Sequence, residues 1–388
     1  MSAHRALVLT NLYPSPAFPG AGPFVRDQVQ LLARRHRLAV VSPVKVAPLN
    51  LATARRVLAV PRFSLDGDVQ VTRVPFPDFP VAGLTLEPRL WALRLLPALR
   101  RAAIGLDPDL VHAHYAFPDG AVAARFAAGQ DLPLVVSVWG SDVLQLLGSR
   151  RVRASLRRTF AAARGVIAVS RELAERAEEL GAAPERLRVL PGGVPYPEPL
   201  DREAARARLG LPDGVRVLLW VGGLVPVKQP LDAVLAFAAS REEGLRLVLV
   251  GDGPLRGEIA ALVLRLGLDE VVRLPGRLPR EEVWAWQSAA DLLVNSSRSE
   301  GTPFAVAEAL GAGTPVAAYP LPGIRDALEA VDGGRVAEAS TPGDLAAAIA
   351  AELGAGRDRD ELARKARDRF DLARVCREIE DVWDAAVA

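Results

Sequence analysis

Short, unbroken apolar runs recur along this chain, and they constrain it more than any single motif does. RALVLT from Arg5, LAVVS from Leu38, VQVTRV from Val69, DLVHA from Asp109, PLVVSV from Pro133 and GVIAVS from Gly165 punctuate the first half. VRVLLWV from Val215, LRLVLV from Leu245, VVRLP from Val271, DLLVN from Asp291 and PVAAY from Pro315 do the same in the second. A strand with one wet face alternates apolar and polar residues; continuous runs mean burial on both faces, as in a parallel sheet covered by helices. Helical patterns fill the intervals. SRELAERAEELG, opened by Ser170 and closed by Gly181, carries start and stop signals at its two ends. The expected class is α/β.

A chain of 388 residues, half of them hydrophobic, amounts to two or three soluble domains. LPGGVPYPEPLD, Leu190 to Asp201, holds four prolines and two glycines, so neither regular element continues through it. It reads as a linker between domains over 1–195 and 196–371. Each is a Rossmann-like, doubly wound parallel sheet, and the two are expected to face each other across a cleft, since such sheets take ligands beyond the carboxyl ends of their strands. LARVCREIEDVWDAAVA, residues 372–388, is a helical pattern with nothing after it to pack against. It is expected to cross back to the first domain.

Several function classes fall away. Cys376 is the one cysteine, which excludes an internal disulfide or a Cys-ligated zinc and suits a reducing cytoplasm. The first strand starts too early to leave room for a signal peptide, and no apolar run reaches the ~18 residues of a membrane span. A cytoplasmic protein is expected, with membrane contact at most peripheral. RRVRASLRRTF, Arg150 to Phe160, sets Val152, Leu156, Thr159 and Phe160 on one helical side among five arginines, which suits an anionic lipid surface or, more ordinarily, a packed helix with a solvated basic face. The net charge of +2 hides a basic first half (25 Lys and Arg against 16 Asp and Glu over 1–200) and an acidic second half (23 against 30), so an anionic partner is expected on the first. Nothing indicates nucleic acid. Asp66-Gly67-Asp68 and Asp107-Pro108-Asp109 have the D-x-D form of metal-dependent transferases, but each sits where a turn is needed and reads as turn chemistry.

Two segments of the second half carry candidate chemistry. After the strand ending at Val221 comes GGLVPVKQP, where Gly222 and Gly223 permit close backbone approach and Lys228, one of three lysines in the chain, follows six residues on. The order differs from an ATPase loop. In SRSEGTPFAVAEALGAGTPV, Thr302 is the expected N-cap and Pro303 the first helical residue, giving a helix whose positive end faces outward with Glu300 just before it and Glu308 inside it.

These residues resemble a known family. SEGTPFAVAEALGAGTPVAAYPLPGI is similar to the E-x(7)-E region of glycosyltransferase family 4, and VGGLVPVKQPLDAVLAF to its G-x-L-x-x-x-K segment. LTNLYPSPAFPGAGPFVRDQVQLLA, DPDLVHAHYAFPDG, VVSVWGSDV, GVIAVSRELAERAEELG and LVLVGDGPL also resemble it, in order over nearly the whole chain, and the type is the one that builds cell-surface polysaccharides. The resemblance implies the GT-B fold and a retaining transfer from a nucleotide-sugar donor, UDP- or GDP-linked, to a glycan or lipid-linked acceptor, with no metal and no other cofactor.

It also implies roles. Glu308 would bind the ribose hydroxyls of the donor, Glu300 the hydroxyls of the transferred sugar, and Lys228 the diphosphate as charge grows on it. Gly222, Gly223, Gly301, Thr302 and Pro303 would shape the donor site, with the amides of Phe304 and Ala305 at the helix end. In the first domain, Gly22 of GAGPFV would lie against donor phosphate or acceptor, His114 near the sugar in a catalytic role, and Asp142 and Trp139 on the acceptor side. The spacing alone leaves His114 as open to a core role as to a catalytic one, and His112 open to either. Three positions depart from the family pattern: Gly223 stands where many members have Arg, Gly192-Gly193 where Asn-Gly is usual, and Trp139 where His is frequent.

Two rival readings remain. VLVGDGPLRG, with glycines at 251, 253 and 257 and Asp269 beyond, is one residue longer than a dinucleotide fingerprint and follows the second strand of its domain rather than the first, which weakens a dehydrogenase. A catalytically impaired, nucleotide-binding protein is opposed by the presence of Lys228, Glu300 and Glu308 together.

Overall fold

The computed structural model describes residues 3–46, 51–77, 83–144, 149–240 and 242–388. The chain forms two compact units, one of residues 1–193 with 372–388 and one of residues 194–371. The chain passes from one unit to the other at Gly193 and again at Asp371, and Val194 pairs with Asp371 in an isolated parallel bridge.

In the first unit the strands are β1 (Arg5–Thr10), β2 (Arg37–Val46), β3 (Phe63–Asp66), β4 (Val69–Pro77), β5 (Leu110–His114), β6 (Leu134–Val138), β7 (Gly165–Ala168) and β8 (Leu187–Val189). They form one sheet in the order β3-β4-β2-β1-β5-β6-β7-β8, parallel except for β3, which runs antiparallel to β4. In the second unit β9 (Arg216–Val221), β10 (Leu245–Val250), β11 (Val272–Gly276), β12 (Leu292–Asn295), β13 (Val316–Ala318) and β14 (Gly334–Val336) form a parallel sheet ordered β11-β10-β9-β12-β13-β14. Every residue of β5, β6, β7 and β12 is buried, which is why those sequences read as continuous apolar runs.

The helix Leu372–Val387 belongs to the first unit and packs on β5, β6 and β7. Leu372, Val375, Cys376, Ile379, Val382, Trp383 and Ala386 are buried, a spacing that presents one helical face to the sheet. Gly165 allows the approach, since a Cβ there would lie 2.6 Å from Val382 Cγ1. The helix is also held through polar contacts: Glu380, itself 2% exposed, lies 2.9 Å from His36 Nε2 and 2.8 Å from an Arg35 nitrogen, and Asp384 lies 2.8 Å from His4 Nε2. Removing one member of such a buried pair leaves the other uncompensated.

Two local expectations receive a physical answer. The helix Arg150–Ala162 buries Val152, Leu156, Thr159 and Phe160 in the core of the first unit, so the stripe that would have lain on lipid is already occupied. The first D-x-D string ends β3 and turns into β4, with Asp66 accepting from Arg26 and Tyr13, and the second links the helix ending at Leu106 to β5, with Asp109 accepting from the Arg5 amide.

Candidate functional site

In the second sheet the strand order reverses about β9, with β10 and β11 to one side and β12, β13 and β14 to the other. Ligands of open α/β sheets bind beyond such a reversal. The segments that leave β9 and β12 there are Gly222–Lys228 and Ser296–Glu300.

Close backbone packing fixes the first segment. A Cβ on Gly251 would sit 1.8 Å from the Gly222 carbonyl oxygen, and one on Gly253 2.5 Å from that of Leu224. The Leu224 amide donates to Asp252 O and the Leu255 amide to Leu224 O, both at 3.0 Å. The glycines of VLVGDGPLRG are therefore needed beneath the β9 loop, and the next helix, Arg256–Arg265, has Leu255 at its N-cap instead of a glycine turn. Gly223 differs: a Cβ there would meet nothing nearer than Val225 Cγ2 at 3.9 Å.

Lys228 ends a 3₁₀ turn, Pro226–Lys228. Ser296 ties it to β12, accepting from Trp220 Nε1 at 3.1 Å while its own hydroxyl lies 3.0 and 2.8 Å from the carbonyls of Lys228 and Gln229. The Arg298 amide donates to Val227 O at 2.9 Å. With both loops so joined, Lys228 Nζ donates to Glu300 Oε1 at 2.5 Å, and Ser297 Oγ donates to the same oxygen at 2.7 Å. Glu300 is 9% exposed and Lys228 29%, so the pair is sheltered but reachable.

The helix after Glu300 begins one residue later than expected. It runs Phe304–Gly311 with Pro303 at the N-cap, φ −80° and ψ 71°, and Thr302 does not cap it. A residue before proline is held away from helical geometry, and here the Phe304 amide donates to Thr302 O at 2.9 Å. Thr302 Oγ1 is buried without a hydrogen-bond partner among the described residues. The Val306 and Ala307 amides both reach Pro303 O, and the Ala305 amide just before them makes no bond to the described residues. Gly301 lies in the bend before Thr302. Glu308 projects from the second turn, one oxygen accepting from Gln287 Nε2 at 3.1 Å and the other 4.0 Å from Arg280.

The first unit has its own reversal, about β1, with β5 on the far side. Gly22 follows β1 in left-handed geometry, φ 60°, directly before the helix Pro23–Leu32. A Cβ at that position would lie 2.5 Å from Leu12 O, so only glycine fits. After β5, Tyr115 turns the chain with φ 89°, and the buried Asp119 accepts from the Asn11 amide at 2.9 Å, linking the β5 and β1 loops. Burial pushes the Asp119 carboxyl well above its usual range against hydrogen bonding from Asn11, and its Oδ1 has no hydrogen-bond partner among the described residues.

Asp142 is turned inward. Its Oδ2 accepts from the Ala116 amide at 2.8 Å and its Oδ1 from the Gly140 amide at 2.9 Å and the Trp139 amide at 3.3 Å. Burial raises its pKa to about 6 against those hydrogen bonds. Three of its roughly four lone-pair sites are thus taken by amides of the loops after β5 and β6, which it ties together. His112 is a core residue, completely buried and 2.8 Å from Ser137 Oγ, with burial pushing its pKa down to about 3. His114 stacks on it at 4.3 Å and on Trp139 at 6.0 Å, and Phe24 lies 4.5 Å from Trp139. Burial, then the His112 neighbour, holds His114 well below the usual imidazole range.

Sequence reasoning did not single out Ser296, Ser297, Gln287 or Asp119. Ser297 stands three residues before Glu300 and so was within reach of local reading. Gln287 is separated from Glu308 by 21 positions and carries no local signal.

Two family descriptions match the chain, Glycosyltransferase Family 4 over residues 19–196 and Glycosyl transferases group 1 over residues 201–369. Among similar proteins, "Putative teichuronic acid biosynthesis glycosyltransferase TuaC" of Bacillus subtilis (strain 168) is 30% identical over 82% of this chain and 82% of its own. "D-inositol 3-phosphate glycosyltransferase 1" of Catenulispora acidiphila is 30% identical over 90% of this chain and 87% of its own. Among solved structures, HepE of Anabaena in complex with UDP and glucose has a TM-score of 0.71 at 20% identity, covering 98% of this chain and 100% of its own. The lipopolysaccharide outer core galactosyltransferase WaaB has a TM-score of 0.69 at 15% identity, covering 98% and 99%. The fold class is thus GT-B.

Proposed function

The chain belongs to glycosyltransferase family 4, and we propose that it moves a sugar, with retained anomeric configuration, from a nucleoside-diphosphate sugar to a glycan or lipid-linked acceptor. The observation that carries this reading is the convergence of Lys228 and Ser297 on Glu300 at the strand reversal of the second sheet. Without donor, the ammonium and carboxylate neutralise one another. An arriving diphosphate competes for Lys228, and Glu300, kept in place by Ser297, then faces the sugar hydroxyls. Glu308, oriented by Gln287, offers two acceptor oxygens to the ribose.

The transfer we propose is a front-face displacement. The bond between the anomeric carbon and the diphosphate oxygen breaks, the acceptor hydroxyl oxygen bonds to the same face, and its proton passes to the departing phosphate. Lys228 offsets the charge that grows on that phosphate, and the Ala305 amide adds a donor at the helix end. Gly222, Gly223 and the turn Gly301–Pro303 would give the donor space, and Gly22 would meet donor phosphate or acceptor. His114, held neutral, would accept or donate a hydrogen bond to the sugar without bringing charge, and Trp139 would line the acceptor side. No metal is needed in this scheme, because Lys228 and the helix end supply the positive potential.

HepE was solved with UDP and with UDP-glucose, which makes a uridine diphosphate sugar the first donor to try. TuaC is named for teichuronic acid synthesis and another relative is a 2-deoxystreptamine glucosyltransferase, so the acceptor calls for a panel of glycans. The site is placed on the cytoplasmic side in this reading, where nucleotide-sugars are made. The deciding experiment combines thermal unfolding in UDP, GDP, ADP and NAD, with and without EDTA, and NMR of the glycosidic product. A nucleotide at ~100 times its dissociation constant adds about 2.7 kcal/mol to the native state. A shift with UDP or GDP that survives EDTA, followed by a product with the donor's anomeric configuration, is expected. A shift with NAD alone, or a product of inverted configuration, would overturn the proposal.

A further inference from the structure

A groove of about 380 Å³ opens in the first unit at the β3–β4 edge of the sheet, between β4 and the helix Gly83–Leu106. Four arginines line it, Arg62, Arg73, Arg94 and Arg101, and no carboxylate is among the lining residues described. Arg94 and Arg101 stand seven positions apart on one helix and so share a face. Arg62 joins them from the turn before β3, and all three are exposed.

Exposed arginines alone would be an ordinary solvated surface. Arg73 is different: it is only 9% exposed, its Nε is buried without a hydrogen-bond partner among the described residues, and none of the described carboxylates forms an ion pair with it. Its remaining nitrogens reach neutral oxygens, Ser64 Oγ at 2.6 Å and Pro14 O at 3.4 Å. The nearby Asp66 is engaged with Arg26 at 2.7 Å and with the Tyr13 hydroxyl at 2.9 Å. A buried cation with no ion-pair partner among the described carboxylates is costly even with the Asp66 charge nearby, and three further like charges around it add to the cost. A multivalent anion in the groove would offset both, and the guanidinium fork matches phosphate oxygens in particular.

We propose that this groove binds a phosphate-bearing ligand, independently of the donor residues in the other unit. Two sources share that chemistry. A soluble phosphate would use the arginines alone. The headgroup of an anionic phospholipid would use them together with Leu58 and Phe63, which line the same groove and are 65% and 61% exposed.

The test uses the full chain in chloride buffer, with pyrophosphate followed by calorimetry and with vesicles of phosphatidylcholine, with and without phosphatidylglycerol, followed by sedimentation. The decisive variant is Arg62→Gln/Arg94→Gln/Arg101→Gln, which changes exposed side chains only. Arg151→Gln/Arg157→Gln/Arg158→Gln removes the same charge elsewhere. The groove variant should weaken binding at least about tenfold, since charge-assisted hydrogen bonds are lost, while the control variant binds as the wild type does. Loss of pyrophosphate binding identifies a soluble ligand, and loss confined to phosphatidylglycerol vesicles identifies the lipid. Arg73→Met should reproduce the loss without altering the surface. The proposal is overturned if the wild type binds neither probe, if the groove variant binds normally, or if the control variant loses as much.

Discussion

Lys228 Nζ lies 2.5 Å from Glu300 Oε1, although the two residues are 72 positions apart, and the contact joins the loops that leave β9 and β12. The pair is partly exposed, so its own contribution to stability is small. Its value is electrostatic and is realised when phosphate carries the developing charge. Lys228→Met should therefore lower kcat by roughly 10²–10³ with little change in melting temperature. Steady-state transfer assays beside thermal unfolding will check this. Full turnover by Lys228→Met would remove Lys228 from the reaction.

Glu308 has a different signature. Gln287 Nε2 donates to it at 3.1 Å, which aims the carboxylate while Gln287 itself is fully buried. A ribose contact of that kind persists from bound donor to transition state. Glu308→Gln should thus raise the donor KM by about ten- to a hundredfold, the worth of charged hydrogen bonds, with kcat nearly unchanged. A fall in kcat at constant KM would place Glu308 at the reacting centre instead.

The strands that were legible are those buried on both faces: β1, β5, β6, β9, β10 and β12 fall within a residue of the apolar runs. β3, β8 and β14 went unread because FSLD, LRV and GRV are short and only half-buried, so they show no continuous apolar run. The same holds for the site. Glu300, Glu308 and Lys228 were visible as charges in an otherwise small or apolar context. Thr302 looked like an N-cap because Thr-Pro is a frequent helix opening, and only the φ and ψ of Pro303 move the start onward. Local sequence does not reveal that three amides, one of them 26 residues away, converge on Asp142.

Gly223 offers a gain instead of a loss. Its immediate neighbourhood is open, with Val225 Cγ2 at 3.9 Å as the nearest atom to a built Cβ, so a Cβ is accepted without clash. An arginine there would stand in the loop that carries Lys228, where the family often places one. Gly223→Arg should tighten binding of a nucleoside diphosphate by about tenfold, the scale of one added charged hydrogen bond. Calorimetry with UDP checks this, and unchanged or weaker affinity would show that the loop directs residue 223 away from the diphosphate.

The buried imidazole of His112 makes the first unit sensitive to acid. Its folded pKa is about 3 against an ordinary 6.5, with burial as the cause. Between those values the unfolded chain binds the extra proton, so the contribution to stability is present above 6.5 and is lost as pH falls toward 3. Asp142 acts in the opposite sense: its folded pKa of about 6 exceeds the ordinary 3.8, so its contribution is present below 3.8 and lost as pH rises through 6. The two partly cancel in the wild type, and a raw stability curve does not separate them. His112→Gln keeps a hydrogen-bonding group beside Ser137 and removes the titration. Between pH 7 and pH 5 the wild type should lose roughly 2 kcal/mol more stability than His112→Gln, the linkage for one buried imidazole. Urea denaturation at both pH values measures the difference, and parallel losses would mean that His112 takes up its proton while the unit remains folded.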